Sequence, residues 1–473
     1  MRHRIFLLIA VCMLVFSCSS QKAGVSVDRP HPRDLRYPDL KLTMPEYQEF
    51  ALDNGMEIFF MEDSEIPIVN VTMMIKTYYS PREKLGRNSM AAWVMRNGGS
   101  ENWPSGRLND ELEFRAARIN FRGEALNTTI SLNCLKKDLP DILDIYADLI
   151  MNPVFPDDKI EMKRKTMLED LRRKNDKPRN IAGREYGKLI YRGHPYGWEP
   201  TEENYKSITR SDLVEFHQRY FHPGNTIVGI SGDVTREEIV ELLRDKFNGW
   251  EQKDVKVDKV PPVDLKEVKN FNYAEKPDMN QAYIMIGHLG IKKDNPGRCA
   301  INIMNYILGG GSFASWITEE VRVKKGLAYS AGSYVNHGAF ARGSFTAYAQ
   351  TKAEEYHRSV RIILDQIERM RNEGPTEEEF NRAIDSYLNS QVFEYESKEQ
   401  IIGRLMMLKF QGRPLDTPEK DMEKYAALTV KDIQEAAREY LRPEDITVLI
   451  VGNREKFTEP LSSFGEVNEI ELE

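Results

Sequence analysis

Residues 208–234 read ITRSDLVEFHQRYFHPGNTIVGISGDV, and residues 428–454 read LTVKDIQEAAREYLRPEDITVLIVGNR. Laid over each other without a gap, they match Thr209 with Thr429, Asp212 with Asp432, Tyr220 with Tyr440, Pro223 with Pro443 and Gly232 with Gly452. Each copy predicts a capped amphipathic helix that stops before a proline, followed by an apolar run that ends at glycine, which is a helix feeding a buried strand. The same register, carried upstream, lays Pro156-Asp157-Asp158 over Thr376-Glu377-Glu378. There an N-cap and an acidic first turn are expected to open a long helix in both halves. Repetition over this span makes two copies of one domain the expected architecture.

Working outward, residues 251–267 alternate Lys and Asp around Pro261-Pro262 and read as a linker. The first copy is then 46–250 and the second 268–473. Strands are expected at 56–61, 68–75 and 128–132 in the first copy and at 281–286 and 344–349 in the second. Strands mixed with long helices give an α+β class.

Upstream, Arg2-His3-Arg4 precedes mostly apolar residues 5–16 and then Ser17-Cys18-Ser19-Ser20. Residues 1–17 therefore read as an export signal, too short to span a bilayer. Val15-Phe16-Ser17-Cys18 resembles a bacterial lipobox, which implies cleavage before Cys18, lipidation of that residue and anchoring to a membrane surface of the periplasm, the outer membrane of a Gram-negative cell being expected. An ordinary secretory signal is the other reading. Residues 18–45 are polar and carry Pro30, Pro32, Pro38 and Pro45, as a tether does. Cys134 and Cys299 remain, one per half, read as two buried thiols in preference to one disulfide. The formal charge of −8 is spread along the chain and excludes a basic nucleic-acid footprint. The runs Lys163-Arg164-Lys165 and Arg172-Arg173-Lys174 read as the solvated face of one helix.

Three stretches together resemble the pitrilysin and insulinase family of zinc peptidases, which includes the mitochondrial processing peptidase. They are Leu52-Asp53-Asn54-Gly55-Met56; Gly193-His194-Pro195-Tyr196-Gly197 ahead of Ile208-Thr209-Arg210-Ser211-Asp212; and Leu308-Gly309-Gly310-Gly311-Ser312 leading to Arg322-Val323-Lys324-Lys325-Gly326-Leu327-Ala328-Tyr329. The resemblance implies a six-stranded, largely antiparallel sheet with helices on one face, present twice, the two lobes facing across a cleft.

Catalytic members place His-x-x-Glu-His on a helix of the first domain, two imidazoles for zinc and a glutamate to activate water. Here that helix reads Ser89-Met90-Ala91-Ala92-Trp93. Ser89 and Trp93 do not replace imidazole and Ala92 takes no proton. The family's distal acid falls at Glu169 or Asp170, and one carboxylate alone holds no zinc. No histidine pair elsewhere has helical i,i+4 spacing around an acid; His217 and His222 read as capping or packing a helix end. This chain is therefore expected to bind no metal or other cofactor.

Arg322 and Tyr329 match an arginine and a tyrosine that, in the family, hold substrate and stabilise charge on the attacked carbonyl oxygen. A permanent planar cation and a phenolic donor suit an oxyanion. Gly326 is expected to end the helix and leave Tyr329 in a strand; without the family context the pair reads as a helix-end arginine and a packed tyrosine. Gly309-Gly310-Gly311 lacks a phosphate-loop ending and resembles the glycine-rich substrate-binding loop of the processing peptidase's non-catalytic subunit, with a plain turn as the alternative. Trp316 departs from the arginine usual there. The resemblance thus implies a zinc-free subunit, inactive alone, whose partner is a zinc-bearing chain of the same fold and whose substrate is a peptide. A structural or peptide-holding protein of the same fold is the second reading.

Overall fold

The structure, a computed structural model, describes residues 43–472. The export signal, Cys18 and nearly all of the tether lie outside the described residues. Residues 43–472 belong to one compact unit.

The first half runs β1 (Gln48–Ala51), β2 (Glu57–Glu62), β3 (Ile68–Lys76), α1 (Arg87–Gly98), α2 (Ser105–Phe114), β4 (Arg118–Gly123), β5 (Asn127–Leu135), α3 (Leu139–Met151), α4 (Asp157–Arg172), α5 (Pro178–Ile190), α6 (Glu202–Ser207), α7 (Arg210–Tyr220), β6 (Thr226–Gly232) and α8 (Arg236–Lys246). The second half runs β7 (Asn270–Glu275), β8 (Gln281–Leu289), α9 (Arg298–Asn305) and a π-helical turn Tyr306–Gly310. It continues with α10 (Trp316–Thr318) and a second π turn Glu319–Lys324, then β9 (Ala328–Asn336), β10 (Ser344–Lys352), α11 (Tyr356–Asn372), α12 (Glu377–Gln391), α13 (Lys398–Phe410), α14 (Thr417–Ala426), α15 (Val430–Tyr440), β11 (Thr447–Gly452) and β12 (Val467–Ile470). The repeat keeps its register through the long helices: α4, α5 and α7 begin at Asp157, Pro178 and Arg210, and α12, α13 and α15 begin at Glu377, Lys398 and Val430, the same offset each time.

Two six-stranded sheets result, ordered β1-β2-β6-β3-β5-β4 and β12-β7-β11-β8-β10-β9. Antiparallel pairing dominates, with β2–β6, β7–β11 and β7–β12 as the parallel pairs. Thr209 and Thr429 each close a capping box with the aspartate three residues on, and Thr376 does so with Glu379. The counterpart helix α4 differs from expectation: Pro156 precedes it and no side chain caps it, so only its acidic first turn complements the dipole.

The expected helices on one face are present, and each sheet is also covered on its other face by a helix from the opposite half. On α5, Ile181, Ala182, Tyr186 and Ile190 share a core cluster with Tyr283 and Met285 of β8 and with Leu449 and Val451 of β11. On α13, Ile401, Ile402, Leu405 and Met406 pack with Phe59, Met61, Met74 and Ile227 of the first sheet. Gly229 exists for this contact: a Cβ there would stand 2.3 Å from Met406 Sδ and 2.4 Å from Ile402 Cγ2. Burial on both faces explains why β6 and β11 are buried at every residue and read as unbroken apolar runs.

Residues 250–269 carry no helix or strand, yet they are pinned. His194 meets the Pro261 carbonyl at 2.9 Å, and half-buried Glu267 takes Arg342 and Arg442, each at 3.0 Å. Cys134 and Cys299 are buried free thiols. His222 bonds the Gln218 carbonyl at the end of α7, and His217 bonds the Ile150 carbonyl at 2.7 Å, so both secure that helix end.

Candidate functional site

The first-half cleft is built on α1. Its first turn is locked by Asn88, which is buried, accepts from Ser80 Oγ at 2.9 Å and donates to the carbonyls of Tyr78 and Glu124. That lock draws the end of edge strand β4 onto the helix: a Cβ on Gly123 would stand 2.2 Å from the Asn88 carbonyl oxygen and 3.0 Å from Ala92 Cβ. Ser89 is exposed and lines a cavity of about 530 Å³ with Gly123, Glu124, Tyr196 and Trp198. Ala92 is fully buried, and Trp93 is half-buried with the Lys163 ammonium 5.7 Å from its ring centroid.

Lys163 and Arg164 correct the solvated-face reading of that run. Burial lowers the Lys163 pKa and the charge of Asp170 partly restores it, while Arg164 points inward to the carbonyls of Tyr205 and Ile208. Asp170 lines a neighbouring cavity of about 1060 Å³ together with Leu85, Trp198 and Tyr205. Glu169 pairs with exposed Arg172 at 3.7 Å, so Asp170 is the acid that faces the cleft.

This donor set does not fit zinc. A hydroxyl, a methyl and an indole stand where imidazoles and a carboxylate are needed, and an ammonium lies over the indole. Among the described residues no group of three His, Cys, Asp or Glu side chains is placed to hold a metal ion.

The Gly193–Gly197 motif shapes the same cleft. His194 Nδ1 accepts from the Tyr196 amide at 3.1 Å, and Gly193 adopts φ +78°. Tyr196 is thereby set against Tyr191 and Tyr79, and Tyr79 against Trp198. Burial raises the Tyr79 phenol well above its ordinary range, so this wall stays uncharged.

In the second half the structure brings Arg322 and Tyr329 together. Gly326, at φ +63°, ends the π turn and starts β9, as expected. The Arg322 guanidinium lies 5.4 Å from the Tyr329 ring centroid and 4.6 Å from that of Phe313, between the two rings. Phe313 is the residue that sequence reasoning missed; its signal was a large apolar side chain directly after a glycine run. Phe313 and Tyr329 are 57% and 74% exposed, and among the described residues Arg322 has no carboxylate partner. An arginine held only by aromatic faces keeps its donors free for a ligand.

Gly309 and Gly310 close the first π turn. A Cβ on Gly309 would stand 2.3 Å from the Ser333 amide nitrogen and one on Gly310 2.7 Å from Asn305 Nδ2, so both glycines permit close packing on β9 and α9. Gly311 follows, and Ser312, at φ +57°, turns the chain toward Phe313. Trp316 is buried, donates to Glu379 at 2.8 Å and lies under Arg369, tying α10 to α11 and α12. Two π turns flanking one short loop are unusual and concentrate at functional sites.

Arg322 and Tyr329 line neither first-half cavity. The strand that bears Tyr329 reaches the Ser89 cavity only at Asn336, its opposite end.

Comparison with known proteins gives this arrangement a family. The family model described as "Insulinase (Peptidase family M16)" matches residues 94–199, and "Peptidase M16 inactive domain" matches residues 207–387. The chain belongs to the insulinase family, peptidase family M16. An uncharacterized zinc protease of Streptomyces coelicolor is 23% identical over 313 residues, 65% of this chain and 68% of that protein. Subunit 1 of the mitochondrial cytochrome b-c1 complex of Rattus norvegicus is 25% identical over 315 residues, 63% of this chain and 64% of that one. The matched segments thus span about two thirds of these relatives. Among solved structures, a peptidase M16 inactive domain from Pseudomonas fluorescens superposes with a TM-score of 0.77 at 23% identity, covering 86% of this chain and 98% of that one. The periplasmic protease PqqL of Escherichia coli superposes at 0.74 and 14% identity, covering 89% of this chain and 50% of that one.

Proposed function

We propose that this chain is the zinc-free subunit of a two-chain M16 peptidase, with Arg322 and Tyr329 serving a cleft completed by a homologous partner. The observation that carries this reading is the state of the pair. Arg322 is aromatic-clamped, unpaired with any carboxylate among the described residues, and outside the two first-half cavities. The half-length match to PqqL also supports it, because that polypeptide carries a further portion of about equal length beside the one this chain resembles.

The zinc and the water-activating glutamate belong to the partner. From this chain, Arg322 and Tyr329 donate hydrogen bonds to the substrate carbonyl oxygen as it gains charge, a contribution of about 10²–10³ in rate. Peptide docks as an added strand on a free sheet edge, which β4 and β9 offer, so backbone bonds give affinity with little sequence demand. Lipidation at Cys18 holds the complex at the periplasmic side of a membrane, expected to be the outer one; Cys18→Ser should release the chain from the membrane fraction.

The test is reconstitution. This chain alone with zinc should not cleave an unfolded peptide, and addition of the co-expressed partner should produce cleavage. Arg322→Ala with Tyr329→Phe should abolish most of that rate. Cleavage by this chain alone, or full activity of the doubly substituted complex, overturns the reading. The likeness to a cytochrome b-c1 subunit favours a second reading, a non-catalytic structural or peptide-holding protein. A native partner lacking His-x-x-Glu-His would select it.

A further inference from the structure

The duplication extends to the hollow beside the first-half cleft. Leu171, Arg184, Lys188 and Tyr205 line the cavity that contains Asp170. Their counterparts in the repeat register, Gln391, Arg404, Leu408 and Tyr425, all line one second-half cavity of about 260 Å³.

The two hollows differ in chemistry. In the first, Arg184 and Lys188 both pair with Glu185, and Asp170, Glu199, Glu202 and Glu203 add carboxylates to the wall. In the second, Lys293, Arg298, Arg404 and Arg413 face a single carboxylate, Asp421. Arg298 Nη2 takes both oxygens of Asp421, and Arg404 is paired with Glu394. Asp294, near Arg413, is committed to Lys292 at 3.1 Å. That leaves Lys293 and Arg413 outside any salt bridge among the described residues, with Asp421 and Asp294 acting on Arg413 only at longer range; the Lys293 ammonium reaches Gln411 Oε1 at 3.3 Å.

The crowding acts on the neighbouring titratable groups. Burial, then the charges of Arg298, Lys293 and Arg413, hold the His337 imidazole at about 4, so that ring is neutral, 2.7 Å from Asn302 Oδ1. Burial, then neighbouring Arg413 and Arg298, lowers Lys293. A neutral donor is also at hand: Tyr387 and Tyr425 meet hydroxyl to hydroxyl at 3.1 Å, which leaves one of the two O–H groups to donate, and the first residues of α14, Thr417 and Pro418, line the same space. Two cations outside any salt bridge among the described residues, beside a tyrosine hydroxyl pair and around a small partly enclosed space, are the elements of an oxyanion receptor.

We propose that this second-half cavity is a binding site for a phosphate dianion, free or as the phosphoryl group of a small monoester. Charge decides between oxyanions: a phosphoryl group carries about −1.5 to −2 at neutral pH, which matches Lys293 and Arg413, whereas a peptide carboxylate would leave one of them uncompensated. Size agrees, because about 260 Å³ admits a phosphate and its waters but no extended peptide.

The full chain is titrated calorimetrically with inorganic phosphate and with glycerol phosphate, using chloride at matched ionic strength as the reference. Saturable one-site phosphate binding is expected. Lys293→Gln with Arg413→Gln should weaken it roughly 100-fold, about tenfold per charge-assisted contact, and Arg413→Lys by less. Since neither side chain holds a carboxylate, the double variant should melt no lower than the parent without phosphate, which separates lost binding from lost fold. Binding of the ester as well as the free ion assigns a monoester, and binding of the free ion alone assigns inorganic phosphate. Equal phosphate affinity in parent and double variant, or stabilisation matched by chloride, overturns the site. So does a free-acid peptide that occupies it when its amide and phosphate do not.

Discussion

The two halves share a topology and differ at the helix that follows β3 in the first half and β8 in the second. In the first half α1 is regular, with Ala92 jammed against Gly123 and Lys163 over Trp93. In the second, α9 passes into a π turn and a loop that sets Phe313 and Tyr329 about Arg322. The outer strands differ too. β1 comes from the start of the domain and runs antiparallel to β2, while β12 comes from the far end of the chain and runs parallel to β7. What both halves retain is the exchanged helix. The lesson is that reciprocal packing holds the pair together and leaves each half's cleft free to take different chemistry.

Breaking the exchange should have the largest effect. Leu405 on α13 and Ile181 on α5 are both fully buried in the opposite half's core. Leu405→Ala or Ile181→Ala should each cost about 2–5 kcal/mol. Because each helix belongs to one half and covers the other's sheet, either variant should lower one common unfolding transition in calorimetry. Two separated transitions would show that the halves fold independently and that the exchange is incidental.

Acid sharpens the comparison by one step. Burial holds His217 in the first half and His288 in the second at about 4, against an ordinary 6.5. Both are neutral in the fold, while the unfolded chain binds protons below 6.5. Their stabilisation is therefore complete above pH 6.5 and is lost as pH falls toward 4, by roughly 3 kcal/mol per ring at most. Urea unfolding at pH 7 and pH 4.5 should show the loss, and His217→Asn and His288→Asn should each flatten the slope. A slope unchanged by both substitutions would place the acid sensitivity elsewhere.

Much of this comparison was legible in the residues. Capping boxes and unbroken apolar runs revealed α7, β6, α15 and β11, and residue types at 89, 92 and 93 revealed the missing donors. The edge strands were not legible. β4 (RINFRG) and β9 (AYSAGSYVN) have one free side and alternate weakly, and β7 buries Asn272 by donating to the Val448 carbonyl, a contact far apart in the chain. Periodicity marks a face as apolar but does not say whose sheet it covers, so the helix exchange was invisible. Lys163 over Trp93 and Phe313 over Arg322 likewise arise from tertiary neighbours, and the glycine run's close approach to Ser333 is a matter of packing that composition does not carry.

Restoring the water-activating position tests whether the first-half cleft has closed around its loss. Ala92→Glu places a longer, ionisable side chain where Ala92 is fully buried and where even a Cβ on Gly123 would lie 3.0 Å away. Overpacking should cost about 1–3 kcal/mol in urea unfolding. A variant as stable as the parent would mean that the cleft keeps room for the family's glutamate.

The smallest expected effect belongs to the pair itself. Arg322 touches two exposed rings and, among the described residues, no carboxylate, so Arg322→Ala leaves no buried charge unpaired and no donor unsatisfied. Its stability should stay within about 0.5 kcal/mol of the parent, in contrast to Arg298, whose removal would strand Asp421. Phe313→Ala should be equally mild. Near-zero cost at Arg322 would leave ligand contact as the reason for placing a cation between two exposed aromatic rings. A loss of about 2 kcal/mol or more in thermal unfolding would instead make Arg322 a structural rivet of the second-half loop, and the contrast between the halves would then be one of packing alone.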